Sequence, residues 1–334
     1  MQDEAKKRVK EYAKNDNLES FLKELNYDLS YTEKELLKGN IEEQPIIFVI
    51  GVPRCGSTLM MQWLANTGEI AYPSNMLSRF YKSPIIGSKI QKLLTDQRYN
   101  FRNEIFDFST EVNYSSVNGK TKGALAPNEF LYYWWNFVPE KELQYWTDEE
   151  LREQVDIENF QKELWGTAQS LGKPFALKCP LLYNTVFLSE VFKKSIFIYI
   201  KRDPVTNMAA LLKARENLYG SDKEWFSLKI KEYPMLSQLE NPMDQVAGQV
   251  YYINEAISAG INQLDSNRKI EVEYEKFCEN PQKIYNELVE KLAVMGCTIA
   301  PEYQGEHKFN ITRNADDYKE CGMAYEAFIK NIDK

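Results

Sequence analysis

The sequence predicts an α/β fold: a parallel β-sheet of the phosphate-binding-loop (P-loop) type, flanked by helices and joined to a helical, aromatic-rich cap. Continuous apolar runs at residues 46–50 and 195–200 are typical of strands buried inside a parallel sheet. A glycine-containing loop, residues 51–56, follows the first run and precedes an amphipathic helix. Tyr, Trp, Phe and Asn concentrate between about residues 70 and 170, and we assign this region to the cap.

The composition is that of an acidic globular protein. The chain has 334 residues, with 41 Lys and Arg against 49 Asp and Glu, a net charge of −8 and 43% hydrophobic residues. These values exclude a disordered chain, a collagen and a coiled-coil rod. The acidic balance argues against a dedicated nucleic-acid-binding protein. The length suits one large α/β domain or two small ones.

The sequence predicts no membrane span, secretory signal or structural metal site. No apolar run approaches the roughly 18–20 residues that cross a bilayer, and the charged N-terminus lacks the features of a signal peptide. The chain has one histidine and no C-x-x-C pair, so neither a zinc site nor a disulfide framework is expected. We therefore expect a cytoplasmic protein that needs no metal. Its five cysteines are Cys55, Cys179, Cys278, Cys297 and Cys321.

Residues 1–44 are predicted to form an N-terminal helical arm of two short charged helices. Apolar residues recur there at helical spacing and would dock the arm onto the body. These residues are Leu18, Phe21, Leu22 and Leu25. Residues 45–334 would then form a single α/β domain, with the cap as an insertion.

The alternation of strands and helices resumes after the cap. Further strands are predicted at residues 175–178 and 270–274. Helices are predicted at residues 184–194, after Pro204, over about 222–264 and after Pro281. The tail from Ala300 is polar and is expected to be irregular.

The segment at residues 128–135 reads NEFLYYWW and has two interpretations. It is either a helix with a buried aromatic face or part of a cap whose aromatic residues line an acceptor pocket. The two interpretations are compatible with each other.

The first candidate site is the loop after the first strand, which reads GVPRCGST at residues 51–58. A loop between a buried strand and a helix start directs backbone N–H groups toward an anion, usually phosphate. It differs from the nucleotide-binding pattern G-x-x-x-x-G-K-[ST] because Ser57 stands where that pattern has lysine. Arg54 supplies a cation from within the loop. The alternative is a plain glycine turn in which Ser57 caps the helix.

The second candidate site is Arg202, at the carboxyl end of the second apolar run. Ligands of parallel sheets bind at that edge, and an arginine there can hold a phosphate with two hydrogen bonds. The alternative is a surface arginine paired with Asp203. Two anion sites at two strand ends suit a nucleotide phosphorylated at both its 5′ and 3′ positions.

These motifs resemble those of sulfotransferases that use 3′-phosphoadenosine 5′-phosphosulfate (PAPS), in particular bacterial members with small-molecule acceptors. Residues 53–59, PRCGSTL, resemble the 5′-phosphosulfate loop of that family, and residues 197–215 resemble its 3′-phosphate motif. Shorter segments that also resemble the family are residues 72–80, 127–130, 178–180 and 274–277. The resemblance covers roughly residues 45–315.

The resemblance implies roles for individual residues. Lys178 would lie near the sulfonate, and Arg202 would bind the 3′-phosphate. The 5′-phosphosulfate would be bound by the loop, with Arg54 also assisting the leaving phosphate. The loop residues concerned are Arg54, Cys55, Gly56, Ser57 and Thr58.

The 3′-phosphate site departs from the family pattern. Ala210 stands where the family usually has a serine, so one hydroxyl contact is lost. Asn207, Arg215 or the tail would have to compensate. An N-x-x-R segment in the tail resembles a nucleotide-covering loop and makes Arg313 a second candidate for the 3′-phosphate.

The general base is left open between two residues. Many members of the family place a histidine two residues after the strand lysine, and here that position is Pro180. Glu129 lies in the aromatic segment, where partial burial would suit it to accept a proton; a structural salt bridge is the alternative. His307 is the single histidine, and a solvated loop residue is the alternative for it. A Ser-His-Asp hydrolase would also need His307, but no G-x-S-x-G motif supports one.

The predicted activity is sulfonate transfer from PAPS to a hydroxyl or amine of a small molecule, with 3′,5′-adenosine bisphosphate as the second product. The overall acidity and the aromatic cap suggest a cationic acceptor, such as a guanidinium alkaloid toxin of bacteria. The alternatives are a P-loop kinase or NTPase and a non-catalytic nucleotide-binding protein with the same fold.

Overall fold

A computed structural model describes residues 8–102, 112–116, 119–138, 143–311 and 317–332. Its centre is a parallel sheet of four strands, in the order β2-β1-β3-β4. The strands are β1 Ile46–Ile50, β2 Phe175–Lys178, β3 Ser195–Lys201 and β4 Lys269–Glu273. The α/β fold class is confirmed.

Helices cover both faces of the sheet. In the described part of the chain they are α1 Asp16–Leu37, α2 Ser57–Asn66, α3 Pro84–Thr95, α4 Leu131–Trp134, α5 Asp148–Gln154, α6 Ile157–Leu171, α7 Thr185–Val191, α8 Pro204–Tyr219, α9 Tyr233–Leu236, α10 Pro242–Asn262, α11 Tyr274–Glu279, α12 Pro281–Val294 and α13 Asp317–Ile332. Short 3₁₀ turns occupy Lys10–Tyr12, Leu77–Phe80 and Ser266–Arg268.

The strands read as uninterrupted apolar runs because both faces of the sheet are covered. Every residue of β1 is buried. Alternate side chains of β1 enter two separate cores: Phe48 packs with residues of α6, α7 and α10, and Val49 packs with residues of α2 and α12. The β1 register pairs Ile46 with Phe175 of β2 and with Ser195 of β3. This register brings the carboxyl ends of β1, β2 and β3 to one edge of the sheet.

The N-terminal arm differs from the prediction of two short helices. In the described residues it has one helix of 22 residues, α1, preceded by a 3₁₀ turn. Leu22 is buried, whereas Phe21 is 61% exposed, so only part of the predicted apolar set docks the arm. Glu33 of α1 is also buried, and its carboxylate accepts hydrogen bonds from the first two free N–H groups of α3, at Ile85 and Ile86. The arm therefore packs through a polar contact as well as an apolar one.

Two predictions about the helices are wrong: where the helix over about 222–264 begins, and the absence of a helix from the tail. The helix expected over about 222–264 begins only at Pro242, with Asn241 as its cap, and the short α9 precedes it. The tail is not irregular throughout, because α13 packs on α8 and α10. Its residues on that face recur at helical spacing; they are Cys321, Ala324, Tyr325 and Phe328.

Within the described residues, no helix is long and apolar enough to cross a membrane. The five cysteines all lie in the described ranges as free thiols, and four of them are buried. Those ranges also contain no group of three or more His, Cys, Asp or Glu residues arranged to hold a metal ion.

Candidate active site

The loop from β1 to α2 is shaped by close backbone approaches. A Cβ on Gly51 would lie 2.8 Å from the carbonyl oxygen of Ile200, and a Cβ on Gly56 would lie 2.2 Å from Cε2 of Tyr274. Gly56 also has a φ of 102°, which favours glycine. The two glycines of the motif are therefore required by geometry, and Tyr274 is the residue that closes over the loop.

Ser57 is the first residue of α2, and Gly56 is its N-cap, without a side-chain capping bond. The alternative in which Ser57 caps the helix is therefore wrong. A helix start without a side-chain cap retains N–H groups with no intrahelical acceptor and a partial positive charge. Free N–H groups and a partial positive charge are the features that favour an anion at a helix start.

Two side chains, one from the residue after β3 and one from α8, hold the loop in place. Arg202 donates from Nη1 to the carbonyl oxygen of Arg54 at 2.7 Å, and Asn207 donates from Nδ2 to the carbonyl oxygen of Pro53 at 2.7 Å. Arg202 also lies over the ring of Tyr274, 4.9 Å from its centroid. These two hydrogen bonds engage the loop's carbonyl oxygens and so help to fix the shape of the loop.

The guanidinium groups of Arg54 and Arg202 lie close together. Burial, and then the positive charge of Arg202, lower the pKa of Arg54 from its ordinary value. Nε of each arginine is buried without a hydrogen-bond partner in the described part of the chain. Two half-buried cations whose Nε donors are buried and unpaired are a costly arrangement unless an anion binds between them.

Lys178, at the end of β2, completes the cationic edge. Its Nζ donates to Oγ1 of Thr58 at 2.8 Å and to Oε1 of Glu129 at 3.2 Å. Only 14% of the Lys178 side chain is exposed, against 50% for Glu129. Lys178 thus supplies, from the neighbouring strand, the cation that Ser57 does not supply from the loop.

Glu129 is positioned by contacts between two segments that are distant in the sequence. Residues 72–80 and 127–130 bind each other: Asn128 N donates to the carbonyl oxygen of Pro73 at 2.7 Å, and Asn128 Nδ2 donates to Oδ1 of Asn75 at 2.8 Å. Oδ1 of Asn128 then accepts from the N–H of Phe130, whose φ is 56°. This turn carries Glu129 to Lys178.

These residues line one cavity of about 490 Å³. Seven cationic side chains and one carboxylate, Glu129, line it. The cations are Arg8, Lys14, Arg54, Lys120, Lys178, Arg202 and Lys229. This local excess of positive charge is opposite in sign to the net charge of the chain.

The aromatic segment divides between core and cavity. Tyr133 and Trp134 are fully buried in the core, while Leu131 and Trp135 line the cavity. Both sequence interpretations therefore hold, each for different residues.

Seven of the predicted site residues line this cavity. They are Arg54, Gly56, Ser57, Thr58, Glu129, Lys178 and Arg202. Three predicted residues lie elsewhere. Cys55 is buried behind the loop, where burial raises the pKa of its thiol; Ala210 is half-buried on α8, and His307 is exposed. None of these three lines the cavity. Arg313 lies outside the described residues.

Arg215 does not compensate for Ala210. It is fully buried, and its Nη1 donates to Oε1 of Gln245 at 2.8 Å. Its guanidinium also lies over the ring of Trp225. Burial lowers its pKa to about 10. Asn207 acts on the loop, as described above, rather than on the cavity.

Sequence reasoning missed several residues that line the cavity. Arg8 and Lys14 lie in the arm, and Lys120 lies in a segment without a periodic pattern. No signal in the sequence marks them, because they reach the cavity only through tertiary packing. Tyr274 was noted within a motif, but its contact with Gly56 follows only from the geometry.

Comparison with known proteins agrees with this geometry. The model of the sulfotransferase family matches residues 45–295. Among solved structures, sulfotransferase STF9 from Mycobacterium avium is similar, with a TM-score of 0.52, 16% identity, and coverage of 92% of this chain and 81% of that one.

Sulfotransferase STF1 from Mycobacterium tuberculosis H37Rv is similar with a TM-score of 0.50, 14% identity and the same shares of coverage, 92% and 81%. At these identities the two structures show the fold alone. Comparison with curated proteins gives no match. The family match spans three-quarters of the chain and includes both strand-end motifs, so the chain belongs to the sulfotransferase family, whose members transfer sulfonate groups.

Proposed function

We propose that the protein transfers a sulfonate group from PAPS to a hydroxyl or amine of a small-molecule acceptor. The observation that carries the proposal is the cavity at the sheet edge, where Arg54, Lys178 and Arg202 meet the uncapped start of α2. PAPS is a polyanion with phosphates at both ends of its ribose. A site with cations on three strand ends matches that distribution of charge.

The donor's two ends are assigned to different elements. The start of α2 and Arg54 would hold the 5′-phosphosulfate, because free N–H groups and a guanidinium converge there. Arg202 would hold the 3′-phosphate with the part of its guanidinium that does not bind the loop. Lys178, between Thr58 and Glu129, would lie against the sulfonate.

The reaction needs positioning and charge stabilisation. The acceptor oxygen or nitrogen loses its proton to a base and forms a bond to sulfur. The bond between sulfur and the bridging phosphate oxygen breaks, and its electron pair leaves with 3′,5′-adenosine bisphosphate. Arg54 and Lys178 offset the charge that develops on the leaving phosphate and on the sulfonate oxygens. No step requires a metal ion.

Glu129 is the base in this proposal. Its carboxylate is the only one that lines the cavity in the described part of the chain, and Lys178 holds it beside the position assigned to the sulfonate. His307 is exposed and does not line the cavity, so the geometry favours Glu129 of the two candidates.

The guanidinium alkaloid is not part of this proposal. That hypothesis depended on the negative charge of the whole chain and on the aromatic cap, whereas the cavity has an excess of cations. A guanidinium group would meet like charges on most of the lining.

The test is calorimetric titration with 3′,5′-adenosine bisphosphate and, separately, with adenosine 5′-monophosphate, which lacks the 3′-phosphate. We expect Arg202→Ala to weaken binding of the bisphosphate by about 10- to 100-fold, the value of a charge-assisted hydrogen bond. It should weaken binding of the monophosphate much less. The comparison of the two ligands separates the 3′-phosphate contact from the effect of Arg202 on the loop.

Lys201→Ala is the matched control. Lys201 is the neighbouring cation, pairs with Glu271 and does not line the cavity, so its removal should leave both affinities unchanged. Equal losses for both ligands in Arg202→Ala would contradict the 3′-phosphate assignment. Binding of ATP with Mg²⁺ in preference to the bisphosphate would favour a kinase or NTPase instead.

A further inference from the structure

A buried arginine behind the cavity is held by neutral oxygen atoms. Arg215 of α8 is fully buried. Its Nη1 donates to Oε1 of Gln245 at 2.8 Å and to the carbonyl oxygen of Asp222 at 3.2 Å, and its Nη2 donates to Oε1 of Gln249 at 3.4 Å. Burying a cation against neutral oxygens costs desolvation energy. An apolar residue of similar volume would serve the core as well.

The network continues into the loop that follows α8. The side-chain amide of Gln249 donates from Nε2 to the carbonyl oxygen of Phe226 at 2.9 Å. The guanidinium of Arg215 lies over the ring of Trp225, 5.2 Å from its centroid, and Nε1 of Trp225 donates to the carbonyl oxygen of Leu228 at 3.0 Å. Arg215 thus holds both carbonyl groups, one through Gln249 and the other through Trp225.

The residue between these two carbonyl groups has a strained backbone. Ser227 has a φ of 75°, and the other described residues besides glycine with a positive φ are Arg54 and Phe130. Arg54 belongs to the loop assigned to the donor, and Phe130 adjoins Glu129. Strain of this kind clusters at functional sites and persists where the surrounding contacts fix the backbone. Ser227 lines the same cavity as Arg54 and Glu129, and the proposed reaction gives it no role.

The strained segment lies on the acceptor side of the cavity. Leu228 shares a small crevice with Pro180, which follows shortly after Lys178, the last residue of β2. The 3′-phosphate of the donor is assigned to Arg202, which follows β3, and β1 separates β2 from β3. A donor bound across β1 and β3 leaves the β2 side, with Lys178 and Glu129, for the acceptor.

The lining on this side is mostly apolar and joins two parts of the chain. Lys229 N donates to the carbonyl oxygen of Leu143, and Tyr145 N donates to the carbonyl oxygen of Lys229, both at 2.8 Å. These bonds attach the loop after α8 to the cap. An apolar wall binds the non-reacting body of a small molecule. The apolar residues of this wall are Trp135, Leu143, Pro180, Leu182, Phe226 and Leu228.

We infer that Arg215 positions residues 226–228 as a wall against which an apolar body of the acceptor packs. This inference rests on the proposed function. It assigns to the acceptor an apolar body beside the reacting hydroxyl or amine. It assigns to the strained Ser227 the role of turning its two apolar neighbours toward the cavity, which both of them line. Arg215 is fully buried and touches neither reactant, so it is a positioning residue rather than a catalytic one.

The test measures binding of phenols to the protein saturated with 3′,5′-adenosine bisphosphate, so that no turnover is needed. The probes are phenol, 4-ethylphenol, 4-butylphenol and 4-hexylphenol, which differ only in the length of an apolar chain. In the wild-type chain each added methylene should tighten binding by about two- to fourfold, because it leaves water for the apolar wall. Calorimetric titration measures this gain and, separately, the affinity for the bisphosphate.

Two variants interrupt the network at different points. Arg215→Met keeps an unbranched side chain, and Gln249→Leu removes the donor to Phe226. In each variant the gain per methylene should fall below about 1.5-fold, while the affinity for the bisphosphate stays unchanged and shows that the variant is folded. If Arg215→Met fails to bind the bisphosphate, Gln249→Leu decides the test. Because both substitutions act on one wall, the double variant should lose no more than the larger single loss.

Arg268→Met is the matched control. Arg268 also donates to carbonyl oxygens, those of Ser189 and Phe192 at 2.9 and 2.7 Å, and burial lowers its pKa as it lowers that of Arg215. It precedes β4 and does not line the cavity. Its substitution should lower stability and leave the gain per methylene unchanged, which distinguishes loss of the wall from a general loss of stability.

The outcomes separate this inference from the proposed function. If the bisphosphate does not bind to the wild-type chain, the proposed function fails and the inference fails with it. If the bisphosphate binds but 4-hexylphenol binds no more tightly than phenol, or shows no saturable binding, the inference alone is overturned. It is also overturned if Arg215→Met and Gln249→Leu retain the gain per methylene, or if Arg268→Met loses it to the same extent.

Discussion

Arg54 is unfavourable for the folded protein in two ways, and substitution can separate them. Its φ of 72° lies in the left-handed region, which costs a residue with a Cβ about 1–2 kcal/mol. Its guanidinium is buried beside Arg202, and both effects lower its pKa. Arg54→Ala removes the charge and keeps the backbone strain, whereas Arg54→Gly removes both.

The size of the difference between these variants follows from the backbone. Glycine relieves the strain of about 1–2 kcal/mol. It also raises the conformational entropy of the unfolded chain, which lowers stability by about 0.4–1 kcal/mol. We therefore expect Arg54→Gly to be more stable than Arg54→Ala by about 1 kcal/mol in the absence of ligand. Urea unfolding followed by circular dichroism measures this directly.

Ligand should stabilise the wild-type chain more than either variant. At a bisphosphate concentration of about 100 times Kd, the wild-type chain should gain about 2.7 kcal/mol. Both variants should gain less, since they lack the loop cation. Such a result would show that strain and buried charge at Arg54 are retained for binding rather than for folding.

A control at a residue with ordinary backbone geometry tests the reasoning. Lys223 is exposed in a turn and is not among the described non-glycine residues with positive φ. There Lys223→Gly should be no more stable than Lys223→Ala. If Arg54→Ala proved as stable as Arg54→Gly, or more stable, the claim of backbone strain at the loop would be refuted.

Three further predictions concern packing, pH and the base. Gly56→Ala should lower the free energy of unfolding by about 2–5 kcal/mol, because the residue has a positive φ and its new Cβ would clash with Tyr274. Adding Tyr274→Ala should restore only the part of this loss that comes from the clash. Full restoration, or none, would contradict this account. Burial raises the pKa of Glu33 from 4.5 to about 7, so the folded chain binds the proton more tightly and stability should fall as pH rises through that window, by up to about 3 kcal/mol. Burial also raises the pKa of the nearby Glu163, which therefore acts in the same direction. The free energy of unfolding, measured across pH, should depend less on pH in Glu33→Gln than in the wild-type chain. An unchanged pH dependence would disprove the assignment to Glu33. Glu129→Gln should lower kcat by about 10²–10⁴ with bisphosphate affinity unchanged, measured by sulfonate transfer to the best acceptor; retention of kcat would exclude Glu129 as the base.

The sheet and the glycine loop after β1 could be predicted from the sequence because the residues that mark each of them are neighbours in the chain. A strand that is covered on both faces is apolar throughout, so β1 and β3 can be recognised in the sequence as continuous apolar runs. Gly51 and Gly56 mark a turn in which a backbone or a ring approaches too closely for a Cβ. The residue types themselves give both signals, although the groups that exclude a Cβ at the two glycines, Ile200 and Tyr274, are distant in sequence.

Other features depend on partners that are distant in sequence. The helix α13 packs against α8 and α10, and its apolar face can be recognised as a packing face only once those two helices provide a surface for it. Glu33 looks like a solvated helix residue, yet it binds the start of α3 and is buried. Whether a polar residue lies on the surface or caps another helix is decided by tertiary packing, which the pattern along one helix does not contain.

The charge of the cavity is the clearest case in which average composition misleads. A net charge of −8 describes the whole chain, but binding responds to the potential within the cavity, where low-dielectric walls strengthen the effect of the cations that line it. The cavity has cations of two origins: those at the sheet edge lie within the family-matched region, and Arg8 lies before it.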